Sequence, residues 1–270
     1  MHRFDSPRRR LGTAALAAAI AVTFAIGVRG QSQSDTQAPL VFEVASVKPS
    51  APGGRGGIIR PLPGNQTYVG TNVPLRLIMT VAYSVTDRQI SGGPAWIGTD
   101  PFDITAKASR PGTTDELHRM LQNLLEDRFQ LKVRRETRES PAWALMVDKG
   151  GSKMAEHDAQ DLDHPPIGPN SSGRRGFSGR NVNMNYFAFY LSRILDRNVI
   201  DRTGLPAHYD LNVEFTPEPV GPRPEGAEPP PPEGPNIFTA LREQLGLRLE
   251  TAKGPVEFLV IEHVEKPEGN

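Results

Sequence analysis

Hydrophobic and polar positions alternate along Leu40–Ser50. Val41, Glu43, Ala45 and Val47 fall on one side and Phe42, Val44 and Ser46 on the other, which predicts a strand. The Gly- and Pro-rich stretch Ala51–Asn65 predicts a loop running into a hairpin. The period then changes from two to 3.6. Leu75, Ile78, Met79 and Ala82 make one apolar helical face, entered at Pro74, a residue suited to a first helical turn. Met184, Phe187, Tyr190, Leu191 and Ile194 make another, entered at Asn183, a good N-cap. Thr113–Phe129 reads as a third helix, with Thr114 as a cap and Asp115 and Glu116 in the first turn, where the helix dipole favours acids. Asn236–Leu245 reads as a fourth, capped by Asn236 and closed by Gly246. Two strands are expected after each of these last helices, Leu131–Thr137 with Pro141–Asp148, and Leu247–Lys253 with Val256–Val264.

These segments recur in the same order. Tyr68–Ile90 lies over Phe177–Val199 without a gap, so that Gly70, Asn72 and Val73 meet Gly179, Asn181 and Val182, and Asp87 and Arg88 meet Asp196 and Arg197. Phe102-Asp103-Ile104 meets Tyr209-Asp210-Leu211. Leu125, Phe129 and Leu131 meet Leu241, Leu245 and Leu247, and Pro141–Val147 lies over Pro255–Ile261. The pattern predicts an α+β fold of two duplicated β-α-β-β-α-β-type units packed together, with Pro/Gly-rich loops, rather than a solenoid, for which the unit is too short. The first unit spans 40–150, with its repeat core at about 59–150, and the second spans 174–265. Residues 151–173 form a polar linker. Residues 216–235 are a Pro/Glu/Gly-rich insertion with too few apolar side chains to pack, expected to be extended or disordered.

The N-terminus adds a compartment. Arg8, Arg9 and Arg10 precede an uncharged, Ala-rich run from Leu11 to Val28, and small residues at Val28 and Gly30 suit cleavage before Gln31. Residues 1–30 therefore read as a secretory signal and 31–39 as a polar tether, with an uncleaved anchor as the competing reading. The protein is expected to be exported, to a periplasmic or extracellular location, with no other membrane-crossing segment. The sequence has no cysteine, which excludes disulfides, thiolate nucleophiles and Cys-ligated zinc. Lys+Arg and Asp+Glu both number 31, so no net field favours nucleic acid.

Candidate chemistry is sparse. Asp201, Arg202, Thr203, His208, Tyr209 and Asp210 crowd one stretch and suggest an acid–base set. The turn Thr203-Gly204-Leu205-Pro206 feeding a strand explains most of them without catalysis, and the matching first-unit stretch has no histidine at the position of His208. His157, Asp158, Asp161, Asp163 and His164 are plausible ligands for a divalent ion such as zinc, but they sit in a linker and read as a solvated acidic loop. His118 and His263 stand singly, and Trp96 reads as a lid packed over a sheet. No catalytic, cofactor-binding or metal-binding residue is assigned.

Phe42–Ser50, Gly92–Ala108, Leu124–Val147, Val199–Glu218 and Leu241–Asn270 together resemble a family of exported "soil-associated" proteins abundant in Acidobacteria, with a domain of unknown function. In relatives that module follows a membrane metallopeptidase of the antibiotic-sensor type, a part this sequence lacks; the resemblance implies an extracytoplasmic sensing role. Each repeat is also similar in layout to the short N-terminal domain of secretins and TonB-dependent receptors, which engages partners in the periplasm. That likeness is one of fold, and fold does not fix function. The expectation is a non-catalytic binding or sensing module of the bacterial envelope, with no cofactor and with a protein, peptide or envelope ligand as partner. The alternative is a secreted hydrolase.

Overall fold

The computed structural model describes residues 40–51, 53–54, 57–157, 167–170, 175–216 and 234–267. The signal and tether, most of the acidic linker cluster and the interior of the Pro-rich insertion lie outside the described residues. Among those described, no helix is long and apolar enough to cross a membrane.

The fold is α+β, with strand outweighing helix. The elements in order are β1 (Val44–Pro49), β2 (Ile58–Pro61), β3 (Thr67–Pro74), α1 (Leu75–Ala82), β4 (Ile90–Gly92), α2 (Trp96–Thr99), β5 (Pro101–Lys107), α3 (Thr114–Phe129) and β6 (Lys132–Val147). They continue as β7 (Ala155–Glu156), β8 (Gly168–Pro169), β9 (Gly176–Val182), α4 (Met184–Ile194), β10 (Val199–Asp201), β11 (Tyr209–Glu214), α5 (Ile237–Ala240) and β12 (Leu247–His263). A π-helical turn at Leu241–Leu245 extends α5. The short α2 and the strands β7 and β8, inside the stretch read as a linker, carry no periodic signal of their own.

Local chemistry sets the helix ends. Thr113 and Glu116 exchange hydrogen bonds at the start of α3, each accepting from the other's backbone N–H (3.1 and 2.9 Å). Asn183 accepts from the Tyr186 N–H and Asn236 from the Thr239 N–H, the caps the sequence predicts. Gly246 closes the π turn at a φ of 68°, as expected of a C-terminal glycine.

The strands form three four-stranded sheets, in the orders β1-β5-β3-β2, β10-β6-β12-β4 and β7-β11-β9-β8. All pairs are antiparallel except β10 with β6 and β12 with β4. Four separate strands were expected after α3 and the π turn; the structure has two long ones. β6 and β12 pair continuously from Leu247↔Val147 to Ile261↔Val133. The expected breaks, at residues 138–140 and 254–255, fall where the ribbon is two-stranded, beside Pro141 and at Pro255. β10 joins β6 only at 143–145 and β4 joins β12 only at 259–261, so each proline faces an open edge, where no ladder N–H is needed.

Two hydrophobic cores flank this ribbon. The first holds Leu75, Ile78, Met79, Leu121, Leu125 and Phe129 together with Leu259 and Ile261 from β12. The second holds Phe177, Phe187, Leu191, Leu241 and Leu247 together with Leu145 from β6. Each core therefore draws on both halves of the sequence. Both ends of the described chain dock on α3: the Asn123 Nδ2 group donates to the Leu40 carbonyl (2.7 Å) and the Glu265 N–H to the Phe129 carbonyl (2.7 Å).

Candidate functional site

The crowded stretch 201–210 resolves into two structural devices. Asp201 Oδ1 accepts from the Thr203 N–H (2.9 Å) and the Thr203 hydroxyl (2.8 Å), and Thr203 Oγ1 accepts from the Leu205 N–H (3.2 Å). With Gly204 at a φ of 68°, this is a side-chain-braced turn. The Arg202 N–H donates to the Leu145 carbonyl (2.9 Å), fixing the end of β10 against β6.

Asp210 belongs to the second device. Asn181 sits in the left-handed region (φ 56°) at an irregularity in β9, and its N–H donates to Asp210 Oδ1 (3.1 Å). Asn72 sits likewise (φ 55°) where β3 shifts register against β5, and its N–H donates to Asp103 Oδ1 (2.8 Å). Asparagine tolerates this conformation better than most residues, and the facing carboxylate holds the exposed amide. The backbone hydrogen bond from Asn72, and then that from the Ser50 hydroxyl, hold the Asp103 carboxyl below its ordinary range.

Asp210 also pairs with His157, whose Nδ1 lies 2.7 Å from Oδ1, while the His157 N–H donates to the His208 carbonyl (2.9 Å). These contacts tie β7 to β11. His157 is the described member of the 157–164 cluster; Asp158, Asp161, Asp163 and His164 lie outside the described residues. Among the described residues no group of three or more His, Asp or Glu could hold a metal ion.

His118 on α3 is buried, 5% exposed. Its ring lies against Tyr68 of β3 (centroids 6.4 Å apart) and Tyr186 of α4 (5.9 Å), and Nδ1 is 3.4 Å from the Ser84 hydroxyl. Burial lowers its pKa to about 4, and burial likewise raises Tyr186 to about 12. His118 is thus a neutral, buried bridge from the first core to α4. His263 is exposed and meets Glu265 at 2.8 Å. Trp96 packs on Phe102 and Phe129 beneath Lys266, the lid expected of it. Trp143, though close in sequence to the first-core residues, packs against Phe238 and Arg197 of the second half.

Two clefts open along the line where the halves meet. One, of about 240 Å³, is lined by Ser84, Gln89, Asn185, Asn198, Asp201 and Glu257 among others. The second, of about 220 Å³, is bounded by Thr80, Arg88, Arg193 and Asp196, with Arg88 and Asp196 paired at 2.7 Å. Both are smaller than the roughly 300–1,000 Å³ of ordinary small-molecule sites. Their carboxylates are already engaged: Glu257 pairs with Arg135, and Asp201 braces its turn. No nucleophile, base and orienting acid converge there among the described residues.

The edges of the first sheet, which no further described strand covers, differ from these clefts. β1 and β2 bound it, and Val44 (64% exposed) and Ile58 (63%) stand on its two margins, with Val41 (52%) just before β1.

In comparisons with known proteins, residues 76–264 match a family described as protein of unknown function, DUF3738. No curated protein and no solved structure matches.

Proposed function

Since the chain belongs to the DUF3738 family, whose function is unknown, we propose that it is an exported, non-catalytic binding module that takes an extended peptide or protein segment on the edge of its first sheet. The free edge of β1 carries this reading. The strand is six residues long, and no described strand covers its outer side. Strand addition at such an edge takes affinity from main-chain hydrogen bonds and specificity from alternate side chains. Val41 and Val44 supply apolar surface at one end, while Lys48 and Pro49 blunt the other end against uncontrolled pairing.

Export to the bacterial periplasm or exterior rests on the n-region and apolar run of residues 1–30, and a sensing role on the likeness to soil-associated acidobacterial proteins. The two-unit reading, 40–150 and 174–265, with its likeness in layout to the secretin and TonB-receptor short domain, draws support from the paired left-handed Asn72 and Asn181 and their facing Asp103 and Asp210.

The test is titration of the mature protein against a panel of extended peptides. Val44→Lys weakens binding about tenfold or more, equivalent to about 1.4 kcal/mol, and Ile58→Lys on the opposite edge leaves it unchanged. Equal loss from both variants, or turnover of ester and amide substrates with no peptide bound, rejects the proposal. A secreted hydrolase is the second reading, favoured by the contact of the buried His118 with Ser84, which lines the larger cleft. A fluorophosphonate probe that labels wild type but not Ser84→Ala supports it.

A further inference from the structure

The strand order of the central sheet runs against the sequence. β4 leaves the first half to lie beside β12, with Leu259 opposite Ile90 and Ile261 opposite Gly92. β10 leaves the second half to lie beside β6, with Trp143 opposite Val199 and Leu145 opposite Asp201. Among the described strands, each of these three-residue strands has its neighbour only in the other half.

The ribbon between them has the same character. Its register is centred on Ser140↔Gly254; one step along β6, Pro141 faces Lys253, and one step along β12, Pro255 faces Glu139. Every antiparallel pair has such a local two-fold; here β4 and β10 extend it, each lying parallel beside the other half's long strand, as an isologous contact requires. Side chains from the first half reach across it. Gln89 Nε2 donates to the Glu257 carbonyl (2.8 Å), and the Ser91 hydroxyl to the Leu259 carbonyl (3.4 Å). Gly92 is in close approach: a Cβ there would stand 3.0 Å from the Ile261 carbonyl oxygen.

We infer that the seam is a self-complementary protein–protein interface, in which each half is completed by a partner of its own kind and neither is a self-sufficient domain. The partner each half fits is a second copy of such a half, supplied here by the same chain. Without β12, the first half would leave a 16-residue strand, β6, with an unpaired edge. It would also uncover the core side that Leu259 (0% exposed) and Ile261 close. Without β6, the second half would lose Leu145, likewise 0% exposed, and the wall behind Phe238 that Trp143 provides. The inference is independent of peptide binding, since the seam holds or parts whether or not β1 takes a ligand.

The experiment severs the link rather than the fold. A protease site is placed within residues 158–166 of the full chain, and the folded protein is cut. The expected result is that both pieces elute together at the mass of the intact chain and unfold in one transition. Refolding from denaturant then slows about tenfold on tenfold dilution, as for an assembly step, whereas the uncut protein shows no such dependence. Pieces that elute separately and each unfold cooperatively overturn the inference. A second measurement needs no cut. Trp96 reports on the first core and Trp143 on the second, so Trp143→Phe and Trp96→Phe each leave one reporter. In each variant the fluorescence transition coincides with that of the far-ultraviolet circular dichroism. Separated transitions would show two independent domains and sink the proposal.

Discussion

The buried histidine makes stability depend on acid in a way that can be calculated. In the unfolded chain His118 titrates near 6.5, and in the folded protein near 4, because burial disfavours the imidazolium. Between those values the unfolded state binds the proton and the folded state does not, so stability rises with pH across that window and is lost as pH falls from about 6.5 to about 4. The groups that face the ring do not compensate. Tyr68 and Tyr186 have phenols pushed upward by burial and are uncharged throughout, and Ser84 does not titrate. The shift of about 2.5 units at 1.36 kcal/mol each amounts to about 3 kcal/mol. That is a sizeable part of the roughly 5–15 kcal/mol typical of a domain. The assay is urea unfolding from pH 7 to pH 4 on wild type and His118→Phe. Carboxylates such as Glu116 and Asp103, whose pKa values are lowered, also lose stabilisation as pH falls, but they do so in both proteins and cancel in the difference. The wild-type urea midpoint falls by about 1–3 M more than the variant's over this range, for an m-value of about 1–3 kcal/mol/M. Parallel pH profiles refute the reasoning, because they would mean that His118 is protonated in the folded state at no cost.

Three further outcomes follow from the packing. Leu259→Ala removes a fully buried side chain of β12 and costs about 2–5 kcal/mol in urea melts, read by Trp96 in the first core although the substitution lies in the second half of the sequence. Asp103→Ala leaves the left-handed Asn72 amide without its acceptor and costs about 1 kcal/mol, the partner being surface-exposed; hydrogen exchange at Asn72 rises first. Thr113→Ala breaks the reciprocal cap of α3 and costs about 1 kcal/mol by thermal melt, with Thr113→Ser keeping most of it.

Much of the local structure was legible. Asn183, Asn236 and Gly246 announce helix ends because capping is short-range chemistry between neighbours in sequence, while the cap of α3 falls on Thr113, one residue before the Thr114 expected. The aromatic-Asp-aliphatic starts of β5 and β11 were visible, but not what Asp103 and Asp210 hold, since their partners are amides 31 and 29 residues away. The breaks expected at 138–140 and 254–255 are absent because a proline beside them stops a strand only where its N–H is needed, and sequence does not say which edge is open. Periodicity reveals that a strand exists and which face is apolar, but not its neighbour, so the passage of β4 and β10 to the other half left no signal. For the same reason Trp143 looked like a first-unit residue and packs in the second core. His157 was read within a metal-like cluster; its actual contact, with Asp210, is a long-range tie that the linker's composition conceals.

The docking of both chain ends on α3 has a mechanical consequence. Asn123, which holds the Leu40 carbonyl, and Phe129, which receives the Glu265 amide, are about 9 Å apart along one helix. A pull applied between residues 40 and 265 is therefore borne by α3 and the two short contacts at its flank. Beyond them the chain runs directly into β1 and β12. Under tension those two contacts open first, as a shallow clasp, before the load passes to the ladders of β1 and β12.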